Sequence, residues 1–552
     1  MSKTISKQIP IIDIFAGPGG LGEGFSSLKN GHAFNIRLSI EKEANEHQTL
    51  ELRSFVRQFD KENLPEEYYD VMRQTNQKKR DDAKAKLFEK FPDQYVNAQK
   101  EAWQCTLGEE GFPPELVSKR IKEALRGAKE WVLIGGPPCQ AYSLVGRSRR
   151  QWKENLDSED HRVHLYKEYL RIIADHHPAV FVMENVKGLL SSKLDGEKIF
   201  PKILSDLQSP GKVFRKRKAP QYRIYSLTTD PIGFDRLNRP IYKDARDFLI
   251  KAEEYGVPQK RHRVILLGIR ADIDIKPGTL TKVNPVNLRD VIGDLPSLRS
   301  EINRSFLRSE KVIHEEGEEK VKRYYQKEKD SNQLWQKLVS QFRSEIVSMN
   351  GFLPDSVPTE IPDYEIETGS EFVPCVTPSE NNPLAIWYQD KKLKGVSNHQ
   401  SRSHLVQDLK RYLFAAMYTM KYGKFPRMRD YALYGKELLP DHENAESGKF
   451  ADRFRVQLPE DPATTVTSHI SKDGHYFIHY DPAQCRSLTV REAARIQTFP
   501  DNYLLCGSRT AQYHQVGNAV PPYLANQIAK VVWGVFAKIN IHRNKEGGDY
   551  ER

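Results

Sequence analysis

The sequence predicts an α/β protein built on an open, largely parallel sheet, and three stretches carry that prediction. Ile11 to Phe15 (I-I-D-I-F) is an apolar run that passes directly into glycines and then into an amphipathic helix. Trp131 to Ile134 and Val180 to Met183 are two further short apolar runs of the kind shown by strands buried on both faces. Both end in residues able to do chemistry, and in open α/β sheets ligands gather beyond the carboxyl ends of the strands.

At 552 residues the chain exceeds one ordinary core, so two or more domains are expected. It is 38% hydrophobic and 29% charged, the balance of a soluble globular protein. No apolar run approaches membrane-spanning length, and the start M-S-K-T-I-S-K-Q lacks the apolar core of a signal peptide. A cytoplasmic location and no membrane partner are therefore expected. Five scattered cysteines without a C-x-x-C pair argue against a disulfide framework and against a zinc site, and no metal is expected. A net charge of +11 suits a polyanionic partner, although charge alone does not single one out.

The first strand leads into A-G-P-G-G, Ala16 to Gly20, and a helix carrying Leu21, Phe25 and Leu28. Glycines let the backbone approach a ligand and the helix end favours negative charge, which together make a nucleotide-type cradle. The spacing is not G-x-G-x-x-G, which disfavours a nicotinamide-dependent oxidoreductase. A second strand follows in N-I-R-L-S-I-E, where Ile36, Leu38 and Ile40 alternate and Glu41 at the end can accept hydrogen bonds from ribose hydroxyls. Each feature alone is an ordinary βα turn or a solvated strand end; the two in order favour the cradle. Residues 60 to 128 form a charged, mostly helical insert, expected to be a solvated surface segment within reach of nucleic acid.

After Trp131 to Ile134, Gly135 and Gly136 permit a sharp exit, Pro137 and Pro138 stiffen the loop, and Cys139 follows. A thiol there is a candidate nucleophile if its surroundings lower its pKa. A small buried cysteine in a tight turn explains the stretch equally well. The basic run R-S-R-R at 147–150 suits a phosphate backbone or a plain exposed loop. Glu184 closes the Val180 strand, where desolvation would raise its pKa and suit it to donate a proton. Residues 211–225 are basic with interleaved aromatics. Arg261 and Arg263 sit two apart, on one face of an extended segment.

From about Pro285 the texture changes, and residues 300 to 345 are charged and helix-prone. His399, Arg402 and His404 precede a helix; with no cysteine or carboxylate at ligand spacing, structural or phosphate contacts are favoured over a metal. Thr489 and Glu492 fit a capping box opening V-R-E-A-A-R-I-Q. The chain ends with Q-V-G-N-A-V-P-P at 515–522 and a helix carrying Ile528, Val531, Val532 and Val535.

Taken together, D-I-F-A-G-P-G-G, G-G-P-P-C-Q-A-Y-S, E-N-V, Q-K-R-H-R, R-S-L-T-V-R-E-A-A-R-I-Q-T-F-P and Q-V-G-N-A-V-P-P stand in the order seen in DNA cytosine-5 methyltransferases, and the chain resembles that family, in its bacterial restriction–modification form, over residues 11–41, 131–190, 255–295 and 486–530. The resemblance implies a class I S-adenosylmethionine-dependent methyltransferase (Rossmann-like) sheet with a smaller target-recognition domain. Residues 1–285 would form the catalytic domain, 286–484 the recognition domain, and 485–552 a C-terminal part returning to the first. It implies Cys139 as nucleophile at cytosine C6, Glu184 at N3 and the exocyclic amine, Arg263 at the base, and Asn185 bracing the Cys139 loop. Phe15, Gly17, Gly19, Gly20, Leu21, Glu41, Pro137, Asn518 and Val520 would contact S-adenosylmethionine; the long insert leaves the residue facing its adenine open, with Glu109 the candidate. Gln140, Ser143, Arg147, Arg261 and Thr467 would contact DNA, with Thr464 and Thr465 beside Thr467 in a specificity loop. His262 stands where the family often has glutamate and should point away from the two arginines. The implied partner is double-stranded DNA, bound by a monomer, with a companion restriction endonuclease as the natural biological guess. An RNA (tRNA) cytosine methyltransferase and a catalytically silent DNA-binding relative are the alternatives. The long recognition segment speaks against the first and intact Cys139, Glu184 and Arg263 against the second.

Overall fold

Alternation of apolar side chains along five strands sets the architecture. The structure, a computed structural model, describes residues 8–138, 161–194, 197–214, 218–313, 319–349, 365–375, 381–440 and 452–548. The first half runs β1 (Ile9–Ile14), α1 (Gly20–Ser26), β2 (Phe34–Glu41), α2 (Ala44–Val56), α3 (Glu66–Met72), α4 (Gln77–Lys90), α5 (Pro92–Glu101), β3 (Ala102–Gln104), α6 (Pro114–Leu125), β4 (Val132–Gly135), α7 (His161–His176) and β5 (Val180–Val186). It continues through β6 (Tyr222–Tyr225), β7 (Leu249–Lys251), β8 (Gln259–Lys260) and β9 (His262–Arg270). Strands β3, β2, β1, β4 and β5 are neighbours in that order and parallel; β9 joins β5 antiparallel and carries β6 and β7. The expected sheet is present, with an antiparallel edge.

In the second half, β10 (Glu301–Ile313) and β11 (Glu319–Lys327) form a hairpin, followed by α8 (Asn332–Ser348), β12 (Gly369–Pro374), β13 (Gly395–Gln400), β14 (Ser403–Leu405) and α9 (Val406–Tyr422). The chain closes with α10 (Val490–Ile496), α11 (Arg509–Asn518) and α12 (Pro522–Gly548). Successive strand residues point to opposite faces. Ile11, Ile36, Val132, Ile134 and Val182 therefore pack with Phe25 of α1 and with Leu524, Ile528 and Val532 of α12. Ile12, Ile14, Leu38, Leu133 and Met183 pack on the other face with Ile121 of α6 and Tyr169 of α7. Helix α1 ends at Ser26, short of the expected Leu28, which falls in a separate single turn.

Two expectations about organisation change. The 60–128 segment is not a free solvated insert. Its β3 is the third parallel strand of the main sheet, pairing with Ser39 to Glu41. Its α3 and α4 bury Val71, Met72 and Leu87 in a cluster with Phe55, Phe372, Leu393 and Leu504. Arg80 there pairs with Glu371 of β12 at 2.5 Å and also donates to the Glu371 carbonyl at 2.9 Å. Burial of so charged a segment was invisible because its partners lie some 300 positions away. Residues 300–345, read as helix-prone, are helical only from Asn332. Before it, cross-strand pairs such as Phe306 opposite Tyr325, with Arg304 stacked 4.5 Å from the Tyr325 ring, hold the hairpin.

The joint formed by residues 484–503 is polar and buried. The expected capping box is present, with Glu492 also bound by both Arg486 terminal nitrogens at 2.7 and 2.6 Å. Paired burial of this kind holds only while both partners stay.

Candidate active site

Beyond β1 the chain turns through Phe15 (φ 55°) and Gly17 (φ 57°) before α1 begins. Among the described residues a Cβ on Gly17 would meet nothing within 4 Å, whereas one on Gly20 would lie 2.2 Å from the Val520 carbonyl oxygen. The Gly17 side is thus open and the Gly20 side is closed by the returning chain. Leu21 is buried behind the loop. Glu41, 8% exposed, accepts the Gly17 amide at 2.8 Å on one oxygen and the Lys42 and Glu43 amides at 2.8 and 3.0 Å on the other. Burial pushes its carboxyl up, and these amides work in the opposite direction. Asn518 is exposed at the end of α11, 3.1 Å from His514 Nδ1. Open space over Gly17, beside a glycine loop tied to a strand-end carboxylate, fits the methionine and ribose parts of S-adenosylmethionine.

A second cluster forms where β5 and β9 lie antiparallel, with Ile265 opposite Glu184 and Arg263 opposite Val186. Arg263 Nε donates to Glu184 Oε1 at 2.7 Å, and both side chains are 14% exposed. Arg263 also donates to the His262 carbonyl at 2.9 Å. The other Glu184 oxygen would lie 2.8 Å from a Cβ on Gly136, so a side chain there would push the carboxylate out of its present position. Asn185 Nδ2 donates to the Pro137 carbonyl at 3.4 Å while its oxygen accepts the Val186 amide at 2.8 Å. The loop that leads to position 139 is thereby tied to the Glu184 strand. Glu184 thus sits against the Arg263 guanidinium. Cys139, Gln140, Ser143 and Arg147 lie outside the described residues.

Arg261 is a correction. It was expected at DNA, but it is 1% exposed and donates to the carbonyls of Val466 and Gly517 at 2.8 and 3.2 Å. Burial, with Arg263 nearby, pushes its guanidinium well below the usual range. It braces the joint between β8 and the C-terminal part and cannot reach a phosphate. His262 turns to Glu253, 2.8 Å away, as its alternation with the arginines predicts. Thr467 is exposed and lines a cavity of about 500 Å³ with Lys260, Thr464, Thr465, His469 and Tyr476. Thr465 ties this wall to β8 by donating to the Lys260 carbonyl at 2.6 Å. His399 and His404 are buried in hydrogen bonds to Thr489, Pro296 and Ser487, a structural role. Glu109 is exposed beyond β3. A three-residue strand leaves too little periodicity to register it from sequence.

Two buried groups beside the cradle escaped the sequence reading. Asp13 is fully buried in β1, and among the described residues neither carboxyl oxygen finds a well-formed hydrogen bond, the Gly22 amide offering only a marginal one. Tyr503 is fully buried and donates to the Pro18 carbonyl in the glycine loop. Asp13 stood inside a quoted motif and could have been questioned as a charge within an apolar strand; Tyr503 carried no local signal.

The family model described as C-5 cytosine-specific DNA methylase matches residues 116–215 and 247–533. A type II methyltransferase of Bacillus paralicheniformis is 32% identical over 541 residues, covering 95% of this chain and 98% of its own. Type II methyltransferases of Desulfomicrobium norvegicum and Thalassovita gelatinovora are each 26% identical, over 428 and 545 residues. The first covers 74% of both chains, the second 94% of this chain and 98% of its own.

Proposed function

The chain belongs to the C-5 cytosine-specific DNA methylase family, and on that footing we propose how its residues methylate C5 of a cytosine flipped out of duplex DNA. Cytosine C5 is a poor nucleophile, so the Cys139 thiolate attacks C6, forming a C–S bond and moving the ring electron pair towards C5. Glu184 holds N3 and the exocyclic amine, where charge changes during attack. Arg263 holds the Glu184 carboxylate in place and contacts the base. S-adenosylmethionine supplies the methyl group to C5. Loss of the C5 proton then returns its electron pair to the ring, the C–S bond breaks, and the Cys139 thiolate leaves.

Phe15, Gly17, Gly19, Gly20, Leu21, Glu41, Pro137, Asn518 and Val520 hold the methyl donor. The target base must leave the stack, at roughly a few kcal/mol. The cavity beside Thr467, in the proposed recognition domain 286–484, offers donors and acceptors to the groove edges. Relatives named as type II methyltransferases favour a role in restriction–modification, where a cytoplasmic monomer protects host DNA from a companion endonuclease.

The observation that carries this reading is the Glu184–Arg263 pair beside the Asn185–Pro137 tie. Its test is trapping on duplex DNA containing 5-fluorocytosine with S-adenosylmethionine present. Fluorine at C5 cannot leave as a proton does, so a covalent adduct is expected with the parent and none with Cys139→Ala. An adduct on 5-fluorocytosine tRNA alone would move the substrate to RNA, and no adduct on either would overturn the mechanism.

A further inference from the structure

Three separate parts of the chain converge on the loop at 501–503. Asn502 Nδ2 donates to Asp390 at 2.9 Å, and Tyr69 of α3 donates to the same carboxylate at 3.0 Å. Tyr68 donates to the Asn502 carbonyl at 2.6 Å, and Arg53 of α2 reaches the Asn502 side-chain oxygen at 3.3 Å. Arg53 then grips Glu23 of α1 through two hydrogen bonds at 2.8 and 2.6 Å, while its guanidinium lies 4.9 Å from the centre of the Tyr503 ring. The Tyr503 hydroxyl donates to the Pro18 carbonyl, and a Cβ on Gly19 would lie 2.8 Å from that hydroxyl.

We propose that Tyr503 is a positioning residue for the methyl donor. It fixes the Pro18–Gly19 backbone of the glycine loop, its ring lies under Arg53, and the adjoining Asn502 is held by Asp390. The inference rests on the reading of that loop as the S-adenosylmethionine cradle. Backbone hydrogen bonds already hold Gly19, whose amide donates to the Ala16 carbonyl at 3.0 Å and whose carbonyl accepts the Glu23 amide at 2.8 Å, but they do not engage the Pro18 carbonyl. The hydroxyl of a fully buried ring adds a hold on the Pro18 carbonyl, fixing the peptide plane that leads into Gly19. A buried side-chain network of this kind fixes one geometry because each member is satisfied only there. Asp390 belongs to the middle of the chain, so the segment proposed to read DNA also helps set the loop that holds the donor.

The test is titration calorimetry of S-adenosylhomocysteine binding to the parent, Tyr503→Phe and Asp390→Asn without DNA, with melting temperatures measured in parallel. Loss of the single hydroxyl is expected to weaken binding about tenfold, the equivalent of one hydrogen bond. The KM for S-adenosylmethionine should rise by a similar factor, with the KM for DNA and kcat within about twofold of the parent. Asp390→Asn, one step further from the loop, is expected to weaken binding about threefold. Parental affinity in a folded Tyr503→Phe overturns the proposal. If Tyr503→Phe fails to fold, Asp390→Asn decides, and parental affinity there overturns it equally. A parent that binds no S-adenosylhomocysteine would instead bring down the cradle reading, and this inference with it.

Discussion

Arg263 donates its Nε–H to a carboxylate oxygen of Glu184 at 2.7 Å, between strands that run in opposite directions. The two backbones meet by β pairing, so neither side chain has to reach far and both are held close to one geometry. A guanidinium–carboxylate pair of this kind is selective for residue type, because lysine lacks the planar fork. Glu184→Gln keeps the shape and removes the charge. It is expected to lower kcat/KM by about 10²-fold, comparable to removal of one transition-state contact, with the melting temperature little changed. Arg263→Lys should fall by a similar factor. Transfer of a labelled methyl group to DNA, alongside thermal melts, checks both. Near-parental rates in either variant would remove the pair from the chemistry.

His399 predicts an acid-sensitive fold. It is fully buried between Thr489 and Pro296, and burial, partly offset by Glu492, pushes its pKa down to about 4. An unfolded histidine takes up its proton near pH 6.5. Between those values the unfolded chain binds a proton that the folded chain refuses, so stability is present above pH 6.5 and is lost as pH falls towards 4. The loss is about 1.4 kcal/mol per pH unit for each such group. His479, also buried and held down to about 4, adds to the same window. Urea unfolding between pH 7 and 4 should show this slope, and His399→Gln should flatten it. An unchanged slope in the variant would reassign the acid sensitivity to other groups.

Asp13 predicts the opposite sign. Burial raises its carboxyl to about 8 despite the attraction of Arg57. The folded chain therefore keeps a proton that the unfolded chain releases near pH 4, and this contribution to stability is lost as pH rises towards 8. Asp13→Asn removes the titration while keeping the shape. The variant is expected to be more stable than the parent at pH 8, by roughly a few kcal/mol, with the gain shrinking towards pH 4. Chemical denaturation at the two pH values reads this directly, and a destabilised variant at pH 8 would show that Asp13 is held as a carboxylate.

The parts legible in the sequence were those whose determinants are contiguous. The apolar runs of β1, β4 and β5, the glycines beside β1 and the Thr489–Glu492 cap all act within a few residues, and so they announce themselves. Arg261 was misread because alternation places it beside Arg263 but does not show that the returning chain covers it there, leaving it 1% exposed. Its true partners, the Val466 and Gly517 carbonyls, lie more than 200 residues away. The β10–β11 hairpin was missed because it carries charge on both faces, which erases the period of two. Tyr503 and Pro18 are 485 positions apart, and no local pattern announces such a bond.

The return of α12 to the first strands has a consequence for synthesis. Leu524, Ile528 and Val532 cover the sheet face formed by Ile11, Ile36 and Val182, and a Cβ on Gly24 would lie 2.3 Å from that of Ala525. A ribosome extruding this chain therefore releases a sheet with one bare apolar face long before the helix that seals it emerges. The nascent sheet has to be shielded until that helix emerges. Removal of this helix should leave an aggregating chain more readily than a slow enzyme.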